Sequence, residues 1–179
     1  PLAKRFAENF QSNFHFERSH RRGRTLFTSI FDNDNTDLHW ERGEALDIFK
    51  AVPLQPIAPG ERYEFNLVYE VKIPNARFTR FGHLRNGDYN LRYWFIAPAV
   101  FDGEWQHYSH KNLDDFYMPP STFTIQFKAP KQYHLTSDLD LLEESEADGF
   151  KKSILHGKQR KEATFYLQQQ SAFDIIITD

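Results

Sequence analysis

Tyr63-Glu64-Phe65-Asn66-Leu67-Val68-Tyr69-Glu70-Val71-Lys72-Ile73 alternates between apolar and polar side chains. The odd positions Tyr63, Phe65, Leu67, Tyr69, Val71 and Ile73 are all apolar, and Glu64, Asn66, Glu70 and Lys72 fill the alternate positions, with Val68 the one interruption. A strand points successive side chains to opposite faces, so this order gives one wet face and one face for a core. The stretch is entered through Pro59-Gly60 and left at Pro74-Asn75, both suited to turns.

The same signal recurs outward from this strand. Phe123, Ile125 and Phe127 alternate, as do Phe165 with Leu167 and Ile175 with Ile177. Leu26 to Phe31, Ala45 to Val52, Tyr89 to Ile96 and Tyr133 to Thr136 are further strand candidates. Many short strands between turns predict an all-β fold, an antiparallel two-sheet sandwich. One short N-terminal helix is compatible with Leu2, Ala3, Phe6, Ala7 and Phe10, although Phe6, Phe10, Phe14 and Phe16 would also share one face of a strand. Leu141 to Gly149, rich in Glu and Asp, reads as a loop or a short helical turn. No Pro/Gly/Ser-rich linker and no internal repeat divides the sequence, so residues 1–179 read as a single domain.

Composition agrees. The 18 Phe, 8 Tyr and 3 Trp favour strands and supply large areas to sheet-on-sheet cores. At 179 residues, folding removes roughly 70% of the unfolded chain's surface from water, so no covalent staple is required. A net charge of -3 argues for neither nucleic acid nor a membrane surface as the partner. The absence of cysteine removes disulfides and thiol chemistry but fits any redox compartment, which leaves localisation open. No apolar run approaches the roughly 20 residues of a membrane span. The start, Pro1-Leu2-Ala3-Lys4-Arg5, lacks both Met and a signal-peptide core and reads as a piece of a longer protein.

Four clusters invite a chemical reading. His15 and His20 flank Glu17, but a five-residue step is about 500° of helical rotation, so the imidazoles diverge by roughly 140° on a helix, and on a strand they take opposite faces. A polar surface segment is the better account. His107 and His110 with Asp114 and Asp115 are a better metal set, because i and i+3 imidazoles can converge, yet Trp105 to Lys111 reads as a wet loop between strands. Asp32-Asn33-Asp34-Asn35-Thr36-Asp37 offers oxygens at alternate places but lacks the glycine and glutamate of an EF-hand, and reads as a turn. Arg18-Ser19-His20-Arg21-Arg22-Gly23-Arg24 lacks interleaved aromatics for base stacking and reads as a solvated hairpin tip. Gly-x-Ser-x-Gly and glycine-rich phosphate loops are absent. No catalytic, metal or cofactor-binding residue is assigned to this chain.

The segment from Tyr93 to Ser137 carries a family likeness through the order Trp94, Pro98, Asp102-Gly103, Trp105, Asp115-Phe116, Pro130-Lys131. That order resembles the amino-terminal β-domain of the M1 (gluzincin) zinc aminopeptidases. Ala45-Leu46-Asp47-Ile48, Val52-Pro53-Leu54, Ala58-Pro59-Gly60-Glu61 and Ala172-Phe173-Asp174-Ile175-Ile176-Ile177 extend the likeness over roughly Leu26 to Asp179. Each motif is ordinary strand-and-turn chemistry and gains force only from its order. In that family a loop of this domain holds the substrate's amino terminus with a Gln or Glu. The comparable stretch here, Asn75-Ala76-Arg77-Phe78-Thr79-Arg80-Phe81-Gly82, has neither, so no substrate-anchoring residue is carried over.

The resemblance implies a saddle-like, non-catalytic domain of a zinc metallopeptidase. Its partner would be the intramolecular catalytic domain of the parent, it would help shape the peptide cleft, and zinc would be bound only in that absent domain. Two rivals stand beside it. One is an independent carbohydrate- or protein-binding sandwich using Trp94, Trp105 or Tyr108 as an aromatic platform. The other is a metal-dependent hydrolase centred on His107, His110 and Asp114.

Overall fold

A computed structural model describes residues 6–10, 12–43, 45, 47–77, 79–107 and 117–170. Its strands, in chain order, are β1 (Arg24–Asp32), β2 (His39–Arg42), β3 (Phe49–Val52), β4 (Phe65–Lys72), β5 (Gly82–His83), β6 (Tyr89–Leu91), β7 (Val100–Asp102), β8 (Glu104–Gln106), β9 (Ser121–Pro130), β10 (His134–Ser137), β11 (Asp140–Ala147), β12 (Phe150–Arg160) and β13 (Phe165–Gln168). All strand pairs are antiparallel. Helical backbone among the described residues is confined to 6–8 and to 3-10 turns at Ser12–Phe14 and Ser19–Arg21. The fold is therefore all-β with one short helix near the N-terminus. A turn follows that helix and closes at Phe10, whose φ of 61° is the left-handed geometry of a helix stop. The chain forms two compact units, one of residues Pro1–Lys72 with Ala99–Tyr117, the other of Ile73–Pro98 with Met118–Asp179.

In the first unit, β1 pairs with β4 as a long ribbon. Phe27 and Ile30 lie three residues apart, an odd spacing that would put them on opposite faces of a regular strand. The register shifts between Phe27 and Ser29, so that Tyr69 faces Phe27 while Leu67 faces Ile30. The extra residue, Thr28, keeps the apolar set on one face. The β2–β3 hairpin contributes Trp40 and Phe49, whose rings lie 4.6 and 4.5 Å from the ring of Phe27. Ile30 and Leu38 are the buried apolar side chains of this unit among the described residues.

The second unit is a two-layer sandwich. One layer has strand order β10-β13-β6-β5 and the other β11-β12-β9. Between them lie Leu91, Leu155, Ala163, Phe165 and Leu167, all buried. Phe165 of β13 meets Phe127 of β9 edge to face, ring centres 4.9 Å apart, which joins the two layers. Along β9 burial follows the alternation read in the sequence: Phe123, Ile125 and Phe127 turn inward while Thr124, Gln126 and Lys128 are exposed. This alternation and the strands at Leu26 to Phe31, Tyr133 to Thr136 and Phe165 to Leu167 are found within one or two residues of expectation. Ile175 and Ile177 fall outside the described residues.

Four expectations need correction. Leu141 to Gly149 is not a loop or helical turn. It is strand β11 with the start of a tight hairpin into β12 at Asp148 and Gly149, whose φ values of 51° and 79° are both left-handed. Every residue of β11 is exposed, so the alternation that reveals a half-buried strand is missing. Acidic side chains and a bulge at Leu142 are also what an edge strand uses to resist pairing with other chains. The aromatic strand Tyr89 to Ile96 stops at Leu91, because Tyr93 adopts φ 54° and Arg92 is held by an ion pair with Glu162. Ala45 to Val52 is a strand only from Phe49. Arg18 to Arg24 is no hairpin tip: it forms a 3-10 turn and runs into β1, pinned by Arg22 Nε donating to the Glu17 carbonyl at 2.7 Å and Nη2 to the His15 carbonyl at 3.1 Å.

The layer of β5, β6, β13 and β10 also contains a pH-sensitive contact. Burial, followed by the neighbouring Tyr133, pushes the Tyr89 phenol above its ordinary value of 10.0. The ring centres of the two tyrosines are 5.8 Å apart. A phenol harder to ionise in the folded chain binds its proton more tightly there. The associated stability is complete below about pH 10 and is lost as pH rises through the higher folded value. Denaturant titrations across this range are expected to show a steeper alkaline decline for the native chain than for Tyr89→Phe. Parallel declines would remove Tyr89 as the cause.

Candidate functional site

The residues of the family-like motif are divided between the two units. Trp94, Pro98 and Pro130 belong to the second unit, Asp102, Gly103 and Trp105 to the first, and Asp115 and Phe116 lie outside the described residues. Trp94 has an architectural role. Its indole Nε1 donates to the Ala163 carbonyl at 3.0 Å, and its ring lies 5.2 Å from that of Phe165. Pro130 ends β9, and its carbonyl accepts from the Tyr133 N–H at 3.0 Å, turning the chain toward β10. The Asp102-Gly103 step is the tight turn its sequence suggests. Gly103 has φ 72° and joins β7 to β8, where Asp102 faces Glu104 and Phe101 faces Trp105.

That small hairpin presents an aromatic pair to solvent. Phe101 is 62% exposed and Trp105 61%, with ring centres 5.2 Å apart and planes at 67°. Trp94 is half-buried, and Tyr108 lies outside the described residues.

None of the polar clusters assembles as a metal centre among the described residues, where no group of three or more His, Asp or Glu is placed to hold an ion. His107 is near its own backbone, Nδ1 2.9 Å from the Trp105 carbonyl. His110, Asp114 and Asp115 are outside the described residues. Asp32 is the organiser of its turn: Oδ1 accepts the N–H groups of Asp34 at 3.0 Å and Thr36 at 2.9 Å, while Asn35 takes φ 59°. Asp and Asn fill these places because they bond their own backbone and tolerate left-handed geometry. His15 sets its ring against Phe16 in an edge contact, and both His15 and His20 are exposed.

In the stretch comparable to the family's substrate loop, hydrogen bonds of the described residues gather around Gly82. The Ala76 N–H donates to the His83 carbonyl at 2.9 Å and the His83 N–H to the Pro74 carbonyl at 2.8 Å. The Asn90 amide donates to the Arg80 carbonyl at 2.9 Å. Arg92 lies over the Tyr93 ring at 4.5 Å and pairs with Glu162, seventy residues away. No spacing rule in the sequence links those two. Asp88 has an equally remote partner: it is buried, and its carboxylate accepts the Gln169 N–H at 3.0 Å and the Asn86 side-chain N–H at 2.6 Å. The adjoining Asn86-Gly87 was its only sequence signal, as a turn.

Among the described residues no helix is long and apolar enough to cross a membrane. Comparisons with protein-family models, with curated proteins and with solved structures gave no match to this chain. The class defined by the geometry is an antiparallel all-β protein.

Proposed function

We propose that this chain is a non-catalytic β scaffold, the amino-terminal domain of an M1-like zinc metallopeptidase. It packs on that protein's catalytic domain and helps to shape the cleft for peptides. The observation that carries the scaffold reading is the imbalance of the first unit. Ile30 and Leu38 are buried there among the described residues, whereas Leu26, Val52, Leu54, Ile57, Phe101 and Trp105 stand exposed. Isolated exposed apolar side chains are common, but so many beside so small a core fit a surface that another body covers. The metallopeptidase assignment rests on the order of turns and aromatics from Trp94 to Pro130. It is tested by reading the gene on the 3′ side of the Asp179 codon: His-Glu-x-x-His in the continuing frame is expected, and a frame without it sinks the assignment.

A second reading draws support from Phe101 and Trp105, which would serve a carbohydrate- or protein-binding module. Their 67° inclination suits insertion into a groove better than stacking along a flat sugar chain. Trp105→Ala separates the readings: loss of binding to an immobilised glycan by the isolated chain favours the module.

A further inference from the structure

Asn86-Gly87 is the one Asn-Gly pair in the sequence, and it occupies the turn between β5 and β6. The Leu84 N–H donates to the Asp88 carbonyl at 2.8 Å and the Gly87 N–H to the Leu84 carbonyl at 3.2 Å. The Asn86 side chain grips Asp88 twice: Oδ1 accepts the Asp88 N–H at 3.2 Å, and Nδ2 donates to Asp88 Oδ2 at 2.6 Å. The other oxygen of Asp88, a residue only 9% exposed, accepts the Gln169 N–H at 3.0 Å. Asp88 therefore clasps the β5–β6 turn to the chain leaving β13. We propose that Asn86 is a deamidation site and that loss of its amide releases this clasp.

The chemistry needs only water. Gly87 has no side chain to shield its backbone nitrogen. That nitrogen attacks the side-chain carbonyl carbon of Asn86, a C–N bond forms, the bond to Nδ2 breaks, and ammonia leaves with the proton from the Gly87 amide. Water then opens the cyclic imide at either carbonyl, giving an aspartyl or an isoaspartyl linkage. Both reacting groups are occupied in the folded turn, the Gly87 N–H by Leu84 and the Asn86 amide by Asp88. Attack therefore follows local opening, and the folded chain reacts more slowly than the unfolded one.

The product keeps an oxygen for the Asp88 N–H but has no donor for Asp88 Oδ2. A donor is replaced by a carboxylate beside a second, buried carboxylate, and two such groups at hydrogen-bond distance cannot both ionise without repulsion. The isoaspartyl form also lengthens the backbone of a turn already closed at both ends.

Peptide mass spectrometry of the purified chain after warm, mildly alkaline incubation is expected to find deamidation at Asn86 ahead of the other asparagines, and faster in urea. An intact Asn86 while other asparagines convert, or in a chain kept unfolded, overturns the proposal. The clasp is checked by thermal unfolding. Asn86→Asp is expected to lower the midpoint by roughly 5 °C or more, and adding Asp88→Asn, which exchanges the two side chains and restores one donor facing one carboxylate, to recover most of it. An unchanged midpoint in the single variant, or no recovery in the double variant, contradicts the clasp. The mass measurement stands even if the single variant does not fold.

Discussion

Phe165→Ala is expected to cost about 3–5 kcal/mol, enough to leave the second unit unfolded or close to it. Phe165 is fully buried, and its ring is the piece shared by Trp94 at 5.2 Å and Phe127 at 4.9 Å. Truncation removes the transfer energy of a large side chain and leaves a cavity between two layers of hydrogen-bonded strands, which collapse poorly into it. The Trp94 indole also loses the ring that fixes it while it donates to Ala163. Urea unfolding monitored by tryptophan fluorescence measures the effect. The neighbouring residue is the control. Tyr166 is 37% exposed and alternates to the opposite side of β13, so Tyr166→Ala should cost far less. Similar losses for the two variants would mean that Phe165 does not join the layers.

Gly82→Ala is the second large effect. Gly82 has φ 124°, a geometry that L side chains rarely adopt, and a Cβ placed there would lie 2.1 Å from the Pro74 carbonyl oxygen. That oxygen accepts the His83 N–H at 2.8 Å, so it cannot retreat without breaking the bond that closes the loop onto β5. Backbone strain alone is of the order of 1–3 kcal/mol, and the collision adds to it. Gly60→Ala isolates the collision, since Gly60 also has positive φ, 83°, but open space where a Cβ would stand. Calorimetry should therefore rank Gly82→Ala as clearly the more damaging; equal losses would show that conformation, and not contact with Pro74, decides the position.

The sequence made the inward-facing strands legible because burial on one face writes itself as alternation. Phe123, Ile125 and Phe127 illustrate it. Where burial is absent the signal vanishes: β11, exposed throughout, carries no alternation to separate it from a loop or a short helical turn, although it pairs along its length with β12. The break after Leu91 was hidden for a different reason. Tyr93-Trp94-Phe95-Ile96 has the composition of a strand, but Tyr93 is turned to φ 54° beside an Arg92 whose partner, Glu162, is remote in the chain. Long-range pairing of this kind leaves no local trace. Of the motif residues, the structure gives Trp94 and Pro130 packing and turning roles within the second unit, and gives Gly103 a turn in the first. The residues around Asp88 emerged only once β13 had brought Gln169 to it.

The scaffold reading makes its most direct commitment at the exposed apolar side chains of the first unit. Amide hydrogen exchange compares this chain alone with the same chain joined to the catalytic domain proposed for it. With a scaffold role, the segments carrying Val52, Leu54 and Ile57, and Phe101 to Trp105, are expected to exchange faster in the first and to gain protection in the second. Equal exchange in both, with the longer protein folded, would contradict it.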